Sequence, residues 1–391
     1  MQYPNGTSTS YAYDARNRLT NSTTVDGASR VASFAYTLDL AGRRTQEADA
    51  DGTVRGYGYD SVDRLTSETV TGSMSYAKVF AYDAVGNRLT QTTTGTGAAS
   101  VTYTYDSRDR LSTENTTGYA YDANGNLTSK SGEATYGWDF ENRLTSVNLT
   151  AGPAVAHQYD PDGNRVQTSV TPSGGSAATT NMLVDTAGCP SCGGGGGLSQ
   201  VVVETDGSGN ITSVYVRAGD ELLEVMRPAG GGTWTTRFVH HDGLGSVRAL
   251  TDESGTTTDT RGYEAFGTKN TEAGSDPLVY GFAGEPFQAE SSLAYHRARW
   301  MDARVGRFGG MDRRDGDPQS PLSRHRYIYG SDDPTGMTDP SGNDVSGGDY
   351  SLQTIFNSFT GTPDDRRSRG SSKTSTTSDT ARACARCIPR G

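Results

Sequence analysis

At 391 residues the chain carries a formal net charge of −11, which argues against a nucleic-acid or anionic-membrane binder, since both need a basic face. Only 32% of its residues are hydrophobic, below the roughly 45–50% of globular domains (a share that counts Gly), so one oily core taking in the whole chain is not expected. No apolar run approaches the ~20 residues needed to span a bilayer.

The start, Met1-Gln2-Tyr3-Pro4-Asn5-Gly6, has no basic stretch followed by an apolar one, so no signal peptide is visible. Repeats begin almost at once, and the expectation is a fragment of a longer chain. Tyr11-Ala12-Tyr13-Asp14 leads to Asn17-Arg18-Leu19-Thr20. A degenerate copy, Phe34-Ala35-Tyr36-Thr37-Leu38-Asp39, follows. The phrase then recurs at Tyr57–Asp60 with Arg64-Leu65-Thr66, and at Phe80–Asp83 with Gly86-Asn87-Arg88-Leu89-Thr90. Further copies lie at Tyr103–Asp106, Tyr119–Asp122, Tyr136-Gly137-Trp138-Asp139 and Gln158-Tyr159-Asp160.

The physics of one unit is direct. Tyr-x-Tyr places two aromatics on one strand face. The Asp carboxylate folds back onto the following amides, and Gly-Asn supplies the positive-φ positions of a tight reversal. Arg-Leu-Thr starts the return strand with Leu inward. A lone hairpin is marginal, so successive units stack edge to edge and the ribbon spirals with sheet twist. The Tyr rows also suit a glycan-stacking surface and the Asp turns calcium, although packing and turn chemistry already account for both.

Tyr-Asp-x-x-Gly-Asn-Arg-Leu-Thr resembles the signature of the YD/Rhs repeat family, which includes polymorphic toxins, toxin-complex subunits and wall-associated bacterial proteins. The likeness runs over residues 11–170 and resumes downstream. It implies an all-β fold: tandem antiparallel hairpins forming a spiralling, shell-like ribbon, closed by a core plug.

Residues 171–200 break the pattern, with Pro172-Ser173-Gly174-Gly175 and the Gly193–Gly197 run, and read as a linker or insertion. The four cysteines form two Cys-x-x-Cys pairs, Cys189/Cys192 and Cys384/Cys387, too far apart for a strong zinc signal. No metal or cofactor is expected. Strands return from Val201. His240 and His241 sit near carboxylates, but neighbours on a strand point to opposite faces, which splits them as a metal or acid–base pair.

Phe238–Arg248, Gly262–Gly267 and Tyr280–Gly284 resemble the opening of the Rhs repeat-associated core domain, and Tyr295-His296-Arg297-Ala298-Arg299-Trp300-Met301-Asp302 resembles its second half. In that family the segment plugs the spiral and in many members acts as an aspartyl-type autoprotease. The resemblance assigns the carboxylates to Asp312 and Asp339, a supporting cation to Arg299, and the cut to the bond between Asn343 and Asp344. Two close carboxylates cannot both ionise, so one keeps a proton while the other activates water. Here Arg313 stands where the family has Pro, and Asn343 where it has an apolar residue. Asp317-Pro318 is an alternative match for the first carboxylate.

Residues 344–391 are rich in Ser, Thr, Gly, Asp and Arg and are expected to be a disordered, variable tail. The chain divides into repeats at 1–170, a linker at 171–200, strands and core at 201–343, and the tail. The functional expectation is an encapsulating shell whose own C-terminal segment is cargo, freed by one self-cleavage. It would be secreted or at the cell surface, with secretion machinery as a partner. The rival expectation is a carbohydrate-binding adhesion module without cleavage.

Overall fold

A computed structural model describes residues 1–186 and 198–347. Within them, 24 strands from β1 (Thr7–Tyr13) to β24 (Lys269–Ala273) form a single sheet. Each strand pairs antiparallel with its neighbours in the chain: β1 with β2 (Leu19–Asp26), β2 with β3 (Ser29–Leu38), and so on to the end. The fold is an all-β meander, as the repeats led one to expect.

The Tyr-Asp turns share one geometry. Oδ1 of Asp14 accepts the amides of Arg16 and Arg18 at 2.9 and 3.0 Å, and Asp60, Asp106 and Asp139 repeat the pattern. Three residues after the Asp the backbone turns left-handed, at Asn17 (φ 60°), Asp63 (68°), Asp109 (59°) and Asn142 (61°), with Gly86, Gly125 and Gly163 serving elsewhere. Those are the residue types that tolerate positive φ. A bulge follows, setting Tyr13 opposite Leu19 and Tyr59 opposite Leu65.

Neighbouring hairpins are joined by two side chains that composition alone does not reveal. The Arg four residues after each Asp grips that Asp and reaches on to the next turn. Arg64 Nε lies 2.7 Å from Asp60 Oδ2, and its Nη1 donates to the Asp83 carbonyl at 2.7 Å. Arg18, Arg43, Arg110 and Arg143 do the same toward Asp39, Asp60, Asp122 and Asp160. Where Asn takes that place, Asn87 reaches Asp109 and Asn126 reaches Asn142. The second aromatic then reaches back. The hydroxyls of Tyr82, Tyr105 and Tyr159 donate to the carbonyls of Leu65, Arg88 and Leu144, and the Trp138 indole donates to Leu127.

The expectation that Leu of Arg-Leu-Thr points inward holds for Leu19, Leu65 and Leu144, as it does for Leu111 and Leu127 in the variants Arg-Leu-Ser and Asn-Leu-Thr, and fails at Leu89, which is exposed. In the Gly-Asn-Arg-Leu version Asn87 occupies the staple position, so Arg88 falls where Leu usually sits and the period of two sends Leu89 outward. Arg44 and Arg165 are buried in the same way. Arg88 stacks over Phe266 at 4.0 Å and Arg165 over Tyr295 at 4.4 Å.

The stretch read as a linker contains a strand. β17 (Ala178–Asp185) pairs with β16 (Arg165–Thr171) and β18 (Gln200–Asp206), so residues 178–185 of that stretch belong to the sheet. Cys189, Cys192 and the Gly193–Gly197 run lie outside the described residues, as do Cys384 and Cys387.

After β24 come a small sheet of β25 (Phe287–Gln288), β26 (Leu293–His296), β27 (Arg299–Asp302) and β28 (Arg307–Phe308), and a pair formed by β29 (Met337–Thr338) and β30 (Ser346–Gly347). The apolar residues form separate clusters, several built jointly by ribbon and plug. Leu144, Val147 and Val155 pack on Leu293, Tyr295 and Trp300, and Tyr103 and Leu111 on Val305; elsewhere the ribbon packs on itself, with Leu65 and Phe80 against Ala265 and Phe266 of the turn between β23 and β24. The His157 ring stacks on Trp300 at 4.5 Å. A low hydrophobic fraction thus suffices, because a thin sheet needs only patches where the plug touches it.

Candidate functional site

The segment after β29 turns sharply and returns as β30, with Met337 opposite Gly347 and Thr338 opposite Ser346. Residues 344–347, assigned from sequence to the tail, therefore belong to this turn, while 348–391 lie outside the described residues. Gly342 makes the turn possible at φ +72°. A Cβ there would lie 2.3 Å from the His296 carbonyl oxygen and 2.9 Å from the Arg299 nitrogen.

The turn lies against β27. Arg299 is buried, and its Nη2 is 2.8 Å from Oδ2 of Asp312 and 3.0 Å from Oδ2 of Asp339. Its Nη1 donates to the Arg326 carbonyl at 3.1 Å, its Nε to the Gly342 carbonyl, and its guanidinium covers the Phe308 ring at 3.8 Å. Every donor on one edge is engaged, so the guanidinium is fixed. Arg299, Asp312 and Asp339, separated widely in sequence, meet on that single group. Asp317 does not join them: it is exposed, and its turn is held by Ser323 and Gln319.

Burial pushes both the Asp312 and Asp339 carboxyls above the usual carboxylate range, with Arg299 pulling the other way. Burial also lowers Arg299, against the pull of both acids. One buried cation facing two buried acids leaves a surplus negative charge, which is relieved if one acid holds a proton.

Oδ1 of Asp339 faces the chain itself. It accepts the amide N–H of Asp344 at 3.0 Å and the hydroxyl of Ser341 at 3.2 Å. The Ser341 oxygen in turn accepts the amides of Asn343 at 3.1 Å and Asp344 at 2.9 Å. The nitrogen of the Asn343–Asp344 bond therefore touches one of the two carboxyls. His296, fully buried, has its Nδ1 2.8 Å from the Asp339 carbonyl, and Arg314 pairs with Asp344 at the surface. Ser341 and His296 escaped the reading from sequence. For Ser341 a signal existed, the Asp-x-Ser spacing that lets a hydroxyl cap nearby amides.

Other residues singled out have plainer settings. His240 is buried with its Nε2 2.9 Å from Thr251, whereas His241 faces Glu221 at 3.5 Å, so the two are split as their strand requires. The rings of Tyr59, Tyr82 and Tyr159 lie under Arg43, Arg64 and Arg143 at 5.0, 5.0 and 5.2 Å.

A continuous meander of Asp-turn hairpins, stapled turn to turn and packed on a small-sheet plug, defines a hairpin-repeat shell. Residues 2–167, under half of this chain, match the family model described as Teneurin YD-shell, and together with the fold this supports a shell of the YD/Rhs type. It is 32% identical over 228 residues to the tRNA3(Ser)-specific nuclease WapA of Bacillus spizizenii, covering 57% of this chain and 9% of that protein. It is 28% identical over 204 residues to the probable deoxyribonuclease RhsB of Dickeya dadantii, covering 50% of this chain and 13% of that one. The chain thus spans about a tenth of the length of these curated relatives. Among solved structures, the TcdB2-TccC3-Cdc42 crystal structure superposes with a TM-score of 0.70 at 17% identity, covering 91% of this chain and 19% of that one. The Photorhabdus luminescens Tc holotoxin pore gives 0.72 at 16% identity, covering 89% and 19%. Among the described residues no helix is long and apolar enough to cross a membrane.

Proposed function

We propose that this chain is part of an encapsulating shell whose plug cuts its own backbone once, between Asn343 and Asp344, and so frees the segment that follows. The observation that carries the reading is the contact of the Asp344 amide nitrogen with Asp339 Oδ1, made while the Oδ2 atoms of Asp339 and Asp312 share Arg299.

The chemistry follows from which atom touches which. Asp339 lies at the nitrogen that must leave, so it acts as the acid. Asp312, held on the same Nη2 of Arg299, takes a proton from water as that water attacks the Asn343 carbonyl carbon. The C–N bond breaks and Asp339 delivers its proton to the Asp344 nitrogen. Raised carboxyl pKa values favour the singly protonated pair this requires. Arg299 is already bonded to the Gly342 carbonyl and both acids, so the strand is held in place before reaction.

The cargo in this reading is the chain's own C-terminal segment, and the protein works outside the cell or at its surface after passing a secretion system. Support comes from relatives named as nucleases that are far longer than this chain, and from a TcdB2-TccC3 structure described as lacking a hypervariable C-terminal region. Intact mass of the purified chain tests the reading. A species ending at Asn343, absent in Asp312→Asn and Asp339→Asn, supports it. A single uncut species in the unaltered protein refutes it.

A further inference from the structure

On β6 (Leu65–Thr71) and β7 (Tyr76–Tyr82), Glu68 and Lys78 are direct cross-strand partners. Both side chains point inward: Glu68 is fully buried and Lys78 is 9% exposed. Lys78 Nζ lies 2.5 Å from Oε2 of Glu264, a residue 186 positions later in the turn that follows β23 (Thr257–Tyr263). The same turn returns to Glu68, whose Oε1 accepts the Ala265 amide at 3.0 Å and the Tyr76 hydroxyl at 3.3 Å. Oε2 of Glu68 is buried with no hydrogen-bond partner. Leu65, Phe80, Ala265 and Phe266 form the adjoining apolar cluster, with Phe80 and Phe266 edge to face at 5.5 Å.

An ordinary ion pair needs one carboxylate for one ammonium. Here a second acid, with no cation of its own, stands directly across the sheet from the lysine. Burial and the charge of Glu264 push Glu68 up to about 7, so it carries a proton near neutral pH. An amine, a carboxyl within contact and a buried acid beside them are what direct amide formation requires.

We infer that Lys78 and Glu264 condense into an intramolecular amide, with Glu68 carrying the protons, so that an early hairpin is tied covalently to the turn between β23 and β24 at the far end of the same ribbon. Nζ gives one proton to the Glu264 carboxylate and attacks its Cδ. Glu68, the cross-strand neighbour of Lys78, must swing its free Oε2 onto the pair; it then donates its proton to the departing hydroxyl oxygen and takes one back from the nitrogen. The Cδ–O bond breaks, water leaves, and an N–Cδ bond remains. Ammonium plus carboxylate becomes amide plus water, with no oxidant or cofactor. Two features of the site drive it: fixed contact replaces a bimolecular encounter, and burial deprives the charged reactants of hydration that the neutral amide needs less.

The tie lies N-terminal to Asn343 and is independent of any cut there. Denatured intact mass and a tryptic map test it. The species carrying residues 1–343, cut or uncut, is expected one water lighter than its own sequence mass, with peptide 65–88 joined to peptide 262–269. Lys78→Arg, which keeps a cation in place, and Glu68→Gln are each expected to restore the full mass and separate the peptides. The unaltered protein at full mass, releasing peptides 65–78 and 79–88, would overturn the inference. A joined peptide persisting in Glu68→Gln would overturn the role given to Glu68.

Discussion

Tyr82 donates its hydroxyl to the backbone carbonyl of Leu65 at 2.8 Å, reaching from one hairpin back to the hairpin before it. The ring of the same Tyr82 lies under Arg64, which holds Asp60 and donates forward to the Asp83 carbonyl. Each repeat is therefore bonded in both directions by the residues that define its motif. This explains how a chain of hairpins, each marginal alone, becomes one sheet.

That arrangement sets two graded losses. Tyr82→Phe keeps the ring and the cation contact but removes one hydrogen bond, and is expected to cost about 1 kcal/mol. Arg64→Lys keeps the charge but cannot hold Asp60 through Nε and reach the Asp83 carbonyl through Nη1 at once, and is expected to cost about 1–2 kcal/mol. Urea unfolding of the variants beside the unaltered protein checks both, and the Arg change should be the larger.

Asp332 provides a pH-dependent term. It is buried, its Oδ2 has no hydrogen-bond partner, and burial pushes its carboxyl up from 3.8 to about 7. A carboxyl raised in the folded state favours folding fully below its unfolded value, and that contribution is lost as pH rises through the folded one. Stability should therefore decline between about pH 4 and pH 7 by up to roughly 4 kcal/mol from this group. Asp332→Asn removes the charge, and Asn tolerates the left-handed backbone found there, φ 61°. Denaturation across that range should show a flatter profile for the variant and a higher stability at pH 8.

Gly342→Ala places a Cβ against the backbone of His296 and Arg299 at a position with φ +72°. The turn must open, which carries the Asp344 nitrogen away from Asp339. Cleavage in this variant is expected to fall at least 100-fold while the ribbon keeps its stability. Time-resolved gel densitometry and thermal unfolding separate the two effects.

Ser341→Ala removes the hydroxyl that links Asp339 to both amides of the proposed cut. Cleavage is expected to slow about 10- to 100-fold, and Ser341→Thr, which keeps a hydroxyl, to recover most of the rate. A purely structural serine would give Ala and Thr variants that cleave alike.

Much of this was written in the residues themselves. The Asp turns, their positive-φ positions and the inward Leu follow from local chemistry, which a sequence displays directly. The staple of Arg64 onto Asp83 is a contact between repeats, and only the stacking of hairpins brings it about. The outward turn of Leu89 depends on whether Arg64-Leu65 or Asn87-Arg88 fills the two positions after the turn, a one-residue shift that flips a strand face. β17 was hidden because Thr179, Thr180 and Asn181 are polar and their pairing is set by the neighbouring strands. At the site, family likeness marked Arg299, Asp312 and Asp339. Ser341 and His296 acquire their meaning only once the turn brings the 343–344 bond to the carboxyls.

The place where the purified chain is cut decides whether Asp312 and Asp339 act on the 343–344 bond. Mass spectrometry with N-terminal sequencing, on protein held at neutral and at mildly acidic pH, should find a fragment ending at Asn343 and a second beginning at Asp344, both missing in Asp339→Asn. A single intact chain at both pH values, or the same cut persisting in Asp339→Asn, would contradict that action.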